Sequence, residues 1–218
     1  MNRVQPSARL IEKFSGMGRA KVYARGTVIF RQGEDVSGMW LIRSGWIRLV
    51  RITFAGRTRT LRLIGPEGLL GVVELMIGRA HMMTAEVIDE VEVVYLSRNE
   101  VMAVLAHDVA MAEEFLALLS EEARAYLMGW CVEAGDMPMV ERLLYRLREV
   151  AEVCGQPGRE GVQLQLPFTV QDLAESVGCT RQWASRLLRE LEERGVIRRR
   201  RGWITLLPAA FTDDGMRR

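Results

Sequence analysis

The sequence is poor in the residues that most reactive sites require. It has three cysteines, Cys131, Cys154 and Cys179, odd in number and widely spaced. That pattern argues against a disulfide framework and a closed zinc site, and against a four-thiolate iron–sulfur cluster. The two histidines, His81 and His107, cannot supply the His-x-His pair of a metal-dependent barrel oxygenase. No serine lies in a nucleophile elbow, and no glycine-rich loop precedes Lys-Ser/Thr. Glu121-Glu122 and Glu192-Glu193 are most simply solvated helix faces. An enzyme is therefore not expected. The apolar runs are far short of a membrane span. The N-terminal MNRVQPSARLIEKF has charges where an export signal needs its apolar region, so the expected location is the cytoplasm, with no membrane partner.

Net charge is only +2, so the chain is not globally basic. The charge is unevenly placed, however. From Thr180 to Arg218 there are ten Arg against five Asp or Glu, a local balance of +5. That asymmetry puts a polyanion partner at the C-terminal end.

Residues 168–206 read as helix, turn, helix and basic hairpin. Thr169 caps the first helix, with Asp172 in a capping-box position, and Leu173, Ala174 and Val177 share one face. Gly178 supplies the turn. Thr180 caps a second helix running to about Arg194, with Ala184, Leu187, Leu188 and Leu191 as its buried stripe. Its opposite face carries Arg181, Gln182, Ser185, Arg186 and Arg189. Gly195 ends it. Val196-Ile197 and Trp203–Leu206 are two strands, with Arg198–Gly202 as their turn. This is a winged helix-turn-helix, whose second helix is shaped for a DNA major groove. Arg181, Gln182, Ser185 and Arg186 are the expected base readers. Thr169, Thr180, Arg189, Arg199, Arg200 and Arg201 are the expected backbone contacts. Two roles are open to Trp183: stacking on the first helix, or packing on sugar and a thymine methyl.

The stretch GCTRQWASRLLRELEERGVI resembles the cyclic-AMP receptor protein/fumarate-nitrate regulator superfamily of bacterial transcription factors. There, a Gly-Cys/Leu-Ser/Thr-Arg/Val-Glu-x-x-x-Arg sequence opens the recognition helix. Arg181 and Arg186 match base-reading arginines, while Gln182 departs from the usual Glu. The resemblance covers nearly the whole chain. It implies an α+β fold: an N-terminal cyclic-nucleotide-binding-like β-roll (1–108), a dimerisation helix with hinge (109–135), and a winged helix-turn-helix (136–218).

The rest of the chain fits that order. Residues 7–18 read as a short helix. Short strands follow at Thr27–Phe30, Met39–Ile42, Trp46–Ile52, Thr58–Ile64, Val87-Ile88 and Val91–Leu96, a jelly-roll pattern. GTVIFRQGE, MWLIRSGWIRL and GPEGLLG resemble the family's β-roll, with Gly33 and Gly45 at its turns. From about Ala110 to Glu133 a long helix carries a heptad seam, Val109, Ala112, Leu116, Leu119, Ala123, Tyr126 and Trp130, suited to a sister helix. Met111, Phe115, Leu118, Ala125 and Met128 form a second stripe. Gly135–Pro138 makes a hinge, and Val140–Val153 is a further helix with Leu143, Leu144, Leu147 and Val150 inward.

The resemblance also poses the question of an effector. Cyclic-nucleotide binders of the family hold ribose and phosphate with a Gly-Glu-Leu segment and an Arg-Ser pair. Here the first reads Gly71-Val72-Val73-Glu74-Leu75 and the second Met83-Thr84, so the arginine is replaced. Arg79 is nearby, at poor spacing. The candidate pocket is Gly71, Glu74, Leu75, Met83, Thr84 and Leu127. It reads as apolar: filled by its own side chains or by an uncharged ligand, with haem held through His81 as an alternative. Cyclic AMP is not expected, and no resident cofactor is. Expected partners are double-stranded DNA, a second copy of the chain, and RNA polymerase.

Overall fold

The computed structural model describes residues 6–52, 58–133, 137–165, 169–200 and 202–212. They form two compact units, divided after Trp130.

The first unit opens with helix α1 (Ala8–Met17), capped by Ser7, whose hydroxyl accepts from the Leu10 N–H. A six-stranded antiparallel sheet follows, built on two long strands. These are β3 (Gly38–Ile52) and β6 (Thr84–Ser97), paired from Gly38↔Ser97 to Val50↔Thr84. β1 (Arg19–Tyr23) and β2 (Val28–Phe30) flank β6, while β4 (Thr58–Ile64) and β5 (Leu69–Leu70) flank β3. The two strands expected at Met39–Ile42 and Trp46–Ile52 are one. Gly45 does not break the strand but bulges it. Its φ is +80°, and a Cβ there would meet the Glu90 carbonyl at 2.0 Å. The β3–β6 register shifts on both sides of Ser44, which bends the strand around the core. Val87-Ile88 and Val91–Leu96 likewise belong to one strand.

Helix α2 (Val72–Ile77) lies within the span that carried no expected element. Helix α3 (Arg98–His107) opens with a full capping box, Ser97 with Glu100. Helix α4 (Val109–Glu133) lays Met111, Phe115, Leu118, Glu122 and Tyr126 on the sheet, a repeat of three and four. Phe115 meets Phe14 edge to face at 6.2 Å. Gly129 lets α4 approach closely, since a Cβ there would meet the Leu61 carbonyl at 2.7 Å.

The second unit holds α5 (Met139–Cys154), α6 (Val170–Val177) and α7 (Arg181–Glu193). Their shared core is Leu143, Leu144, Leu147, Val150, Leu173, Val177, Leu187, Leu188 and Leu191. Arg146 is also fully buried, donating to the Ser176 carbonyl at 3.4 Å and to Glu149 at 2.7 Å. A four-stranded antiparallel sheet covers them: β7 (Gln156–Pro157), β8 (Val162–Leu164), β10 (Trp203–Leu206) and β9 (Ile197–Arg200), in that order. A 3₁₀ turn, Pro208–Phe211, follows. The hinge expected around Asp136 falls outside the described residues, and Pro138 is the N-cap of α5.

Candidate nucleic-acid interface and the β-roll interior

The interface is built from the caps outward. Thr169 accepts from the Asp172 N–H at 3.2 Å, and the Asp172 carboxylate accepts from the Thr169 N–H at 2.9 Å. This satisfies orphan donors at the start of α6. Gly178, at φ 77°, turns the chain, and the Cys179 N–H closes on the Ala174 carbonyl at 3.0 Å. Thr180 then accepts from the Trp183 N–H at 3.2 Å and starts α7. With Ala184, Leu187, Leu188 and Leu191 buried, helical spacing turns Gln182, Arg186 and Arg189 to solvent. Thr180, Arg181, Gln182, Ser185, Arg186 and Arg189 together line one open groove of about 960 Å³. The Ser185 hydroxyl donates to the Arg181 carbonyl at 2.9 Å, so it meets a ligand as an acceptor.

The hairpin differs from expectation. Arg198, Arg199 and Arg200 are in β9, not in the turn. Arg198 pairs with Glu160, and Arg199 donates from its Nε to Glu192 at 2.9 Å. The Glu192 carboxyl is held below its usual range, first by the Arg199 backbone N–H and then by the Arg199 side chain. Arg199, expected at a DNA backbone, is thus already paired with a carboxylate within the protein. Arg200 is exposed. Arg201 lies outside the described residues. Trp183 is 46% exposed, and the Arg186 guanidinium lies over its ring, 5.8 Å from the centroid.

The heptad seam also needs correction. Tyr126 is buried against the sheet, and Leu119 packs at the edge of the core. Of the large apolar residues left outside, Val109, Leu116 and Leu127, 76%, 59% and 68% exposed, share one stripe, with Ala112 and Ala123 half-buried between them; Met128, expected on the second stripe, is also exposed. Leu127, expected in the effector pocket, is exposed on this outer stripe. The Trp130 side chain lies outside the described residues.

The β-roll interior is not the apolar pocket expected. Gly71, in the left-handed region, starts α2 and carries Glu74 and Leu75 inward. Met83 and Thr84 are buried, and the Thr84 hydroxyl accepts from the Gln32 N–H at 3.0 Å. A buried ion pair crosses from β4 to α4, Arg62 to Glu122 at 2.5 Å, with the Arg62 guanidinium 5.5 Å from the Tyr126 ring centroid. Burial raises the Glu74 carboxyl above its ordinary value, and Glu122 adds to the rise. Burial also pushes the Tyr126 hydroxyl well up, reinforced by Glu74 and Glu122. Glu122, expected on a solvated helix face, is instead buried, and Arg62 carried no expectation because polar residues alternate along β4, the signature of a solvated face that α4 in fact covers.

These residues do not fit a cyclic phosphate. Met83 stands where the counter-charge belongs, and the nearby guanidinium of Arg62 is held by Glu122. They do not fit haem either. His81 is 2% exposed and stacked on Phe30 with centroids 3.7 Å apart, beside Trp40. Its imidazole is pushed down to about 4, by burial against a smaller opposing pull from Glu34. Among the described residues no cluster of His, Cys, Asp and Glu could hold a metal ion, and no helix is long and apolar enough to cross a membrane.

Known proteins share both halves. Residues 20–108 match the cyclic nucleotide-binding domain family, and residues 140–210 match the Crp-like helix-turn-helix domain family. The chain is similar to the cyclic AMP receptor protein of Thermus thermophilus, 27% identical over 194 residues, 89% of this chain and 86% of that one. It is similar to the anaerobic regulatory protein of Bacillus subtilis, 26% identical over 194 residues, with 88% and 80% covered. The solved structure of FixK2 from Bradyrhizobium japonicum shares the fold, with a TM-score of 0.73 at 21% identity, covering 87% of this chain and 92% of that one. With both domains matched in the same order, the chain belongs to the cyclic-AMP receptor protein/fumarate-nitrate regulator superfamily, whose members are DNA-binding transcription regulators and not enzymes.

Proposed function

We propose that the protein is a cytoplasmic homodimeric regulator that binds a pseudo-palindromic operator and activates transcription through contact with RNA polymerase. The observation that carries this reading is the groove face of α7, where Arg181, Gln182, Arg186 and Arg189 are presented to solvent over a buried apolar stripe. Arginine donates two hydrogen bonds to guanine O6 and N7, and glutamine pairs with adenine N6 and N7. Thr169, Thr180, Arg189 and Arg200 contact phosphates and set the register. The exposed stripe Val109, Leu116 and Leu127 supports the dimer, because helix-turn-helix dimers read half-sites one helical turn apart, about 34–36 Å. The β-roll is filled by its own side chains and takes neither cyclic AMP nor haem as its switch.

Selection from a randomised duplex library tests the reading. A two-fold symmetric site is the expected product, and recovery of unselected DNA at every salt concentration would sink it. Calorimetry with micromolar cyclic AMP should give no heat of binding, and purified protein should have no Soret band.

A further inference from the structure

Trp183 is a large apolar side chain left in water at the end of α7 that enters the groove. Its backbone N–H donates to the Thr180 hydroxyl, which places the residue in the first turn of the helix. At 100° per residue, Gln182, Arg186 and Arg189 form the centre of the exposed face. Arg181 and Ser185 lie on one flank, the flank on which Glu192 holds Arg199 of β9. Trp183 lies on the other flank, away from the hairpin and next to Arg186.

Two consequences follow from that position. First, the Arg186 guanidinium rests over the indole. A cation over an aromatic face keeps its in-plane N–H edge free, so the indole orients Arg186 without consuming the donors that guanine needs. Second, with α7 in a major groove, the remaining indole surface faces the groove wall beside the base pair that Arg186 addresses. The one apolar group there is the 5-methyl of a pyrimidine.

We propose that Trp183 is a specificity-determining residue, which positions Arg186 for guanine and packs its indole on the 5-methyl group of a thymine beside that guanine. The proposal rests on the assignment of α7 as the reading helix. Thymine and 5-methylcytosine present the same methyl on the same edge, so the chemistry recognised is the pyrimidine 5-methyl.

The test uses the full-length protein and its selected operator. Each thymine of a half-site is replaced in turn by deoxyuridine, which removes only the methyl. Affinity should fall about threefold to tenfold at one position next to the Arg186 guanine, the scale of one buried methyl group, and little elsewhere. A cytosine placed there should bind better when 5-methylated. Trp183→Ala should bind thymine and uracil operators equally and discriminate guanine less sharply. Trp183→Phe should restore part of both effects. Because Trp183 is half exposed, these variants keep the fold, which circular dichroism verifies. Equal binding of thymine and uracil by the parent protein overturns the proposal, as does a Trp183→Ala variant that still tells them apart. Failure of the parent protein to select any sequence overturns the reading of α7 itself.

Discussion

The two arginine-bearing surfaces of this molecule, the roll interior and the reading helix, handle charge in opposite ways. Arg62 is buried and held by Glu122, with Tyr126 beside it; burial, and after it Glu74 and Glu122, raise the Tyr126 hydroxyl. Arg181, Arg186 and Arg189 stand in water around one groove. A buried charge must be compensated by the protein itself, because desolvation costs several kcal/mol per ion. An exposed charge without a protein partner costs nothing in water and remains available to a polyanion. The same residue type is thus structural at Arg62, as at the buried Arg146 of the second unit, and available for contact on α7. The hairpin lies between these extremes: Arg198 and Arg199 are neutralised by Glu160 and Glu192, and Arg200 is left exposed.

The sharpest way to break the comparison is to separate the reading helices of two subunits. Leu116→Glu with Leu127→Glu places carboxylates on the outer stripe of α4 without touching the core. We expect a folded monomer whose operator affinity drops by about 10²–10⁴, the loss of bivalent engagement. A dimer in sedimentation with unchanged affinity would refute the outer stripe as the interface. Leu119→Glu is a poorer probe, since Leu119 also packs on the core.

The next effect tests the roll. Arg62→Met leaves Glu122 buried without its counter-charge and should cost about 3–5 kcal/mol of unfolding free energy. Arg62→Met with Glu122→Leu should recover most of that, because an apolar pair of similar volume needs no compensation. If the double variant is no more stable than the single, the pair is not the unit that holds β4 to α4.

Acid should weaken the roll through His81. The folded protein keeps its imidazole neutral down to about pH 4, whereas the unfolded chain protonates it near 6.5. Between these values the unfolded state binds more protons, so stability is lost as pH falls from 6.5 towards 4, by up to about 3 kcal/mol. Glu74 acts in the other sense. Its raised carboxyl takes up a proton earlier in the folded state, so its cost is greatest at neutral pH and declines as pH falls. His81→Leu should flatten the fall in melting temperature between pH 6.5 and 4, and equal slopes for the two proteins would contradict the assignment.

Local signals made the second unit legible and long-range ones hid parts of the first. Thr169, Asp172, Gly178 and Thr180 act within a few residues of themselves, so caps and turn could be read directly. Tyr126 was misplaced because a strict seven-residue repeat drifts by about 20° per heptad on a straight helix. Over the length of α4 that drift carries Tyr126 onto the sheet, and brings Leu127, five turns beyond Val109, into the outer stripe. Arg62 and Glu122 are 60 residues apart and meet only in the fold. Gly45 looked like a break because a bulge and a turn use the same residue for the same positive φ.

The smallest effects separate reading from holding within the exposed arginines themselves. Arg186 lies on the groove face, while Arg200 lies at the end of β9 on the hairpin. A bidentate contact to guanine carries sequence information, and a contact to phosphate carries none. Arg186→Ala should therefore cost about 1–3 kcal/mol on the operator and relax preference at one position per half-site. Arg200→Ala should weaken operator and random duplex alike, and lower the slope of log affinity against log salt by about one. Arg199→Ala should change that slope less than Arg200→Ala does, because Glu192 already neutralises Arg199. Gln182→Glu should shift preference towards cytosine, whose N4 donates to a carboxylate. Binding to a randomised half-site library at several salt concentrations measures all four variants together. Uniform weakening by Arg186→Ala, with sequence preference intact, would mean that the face of α7 turned to solvent is not the face turned to bases.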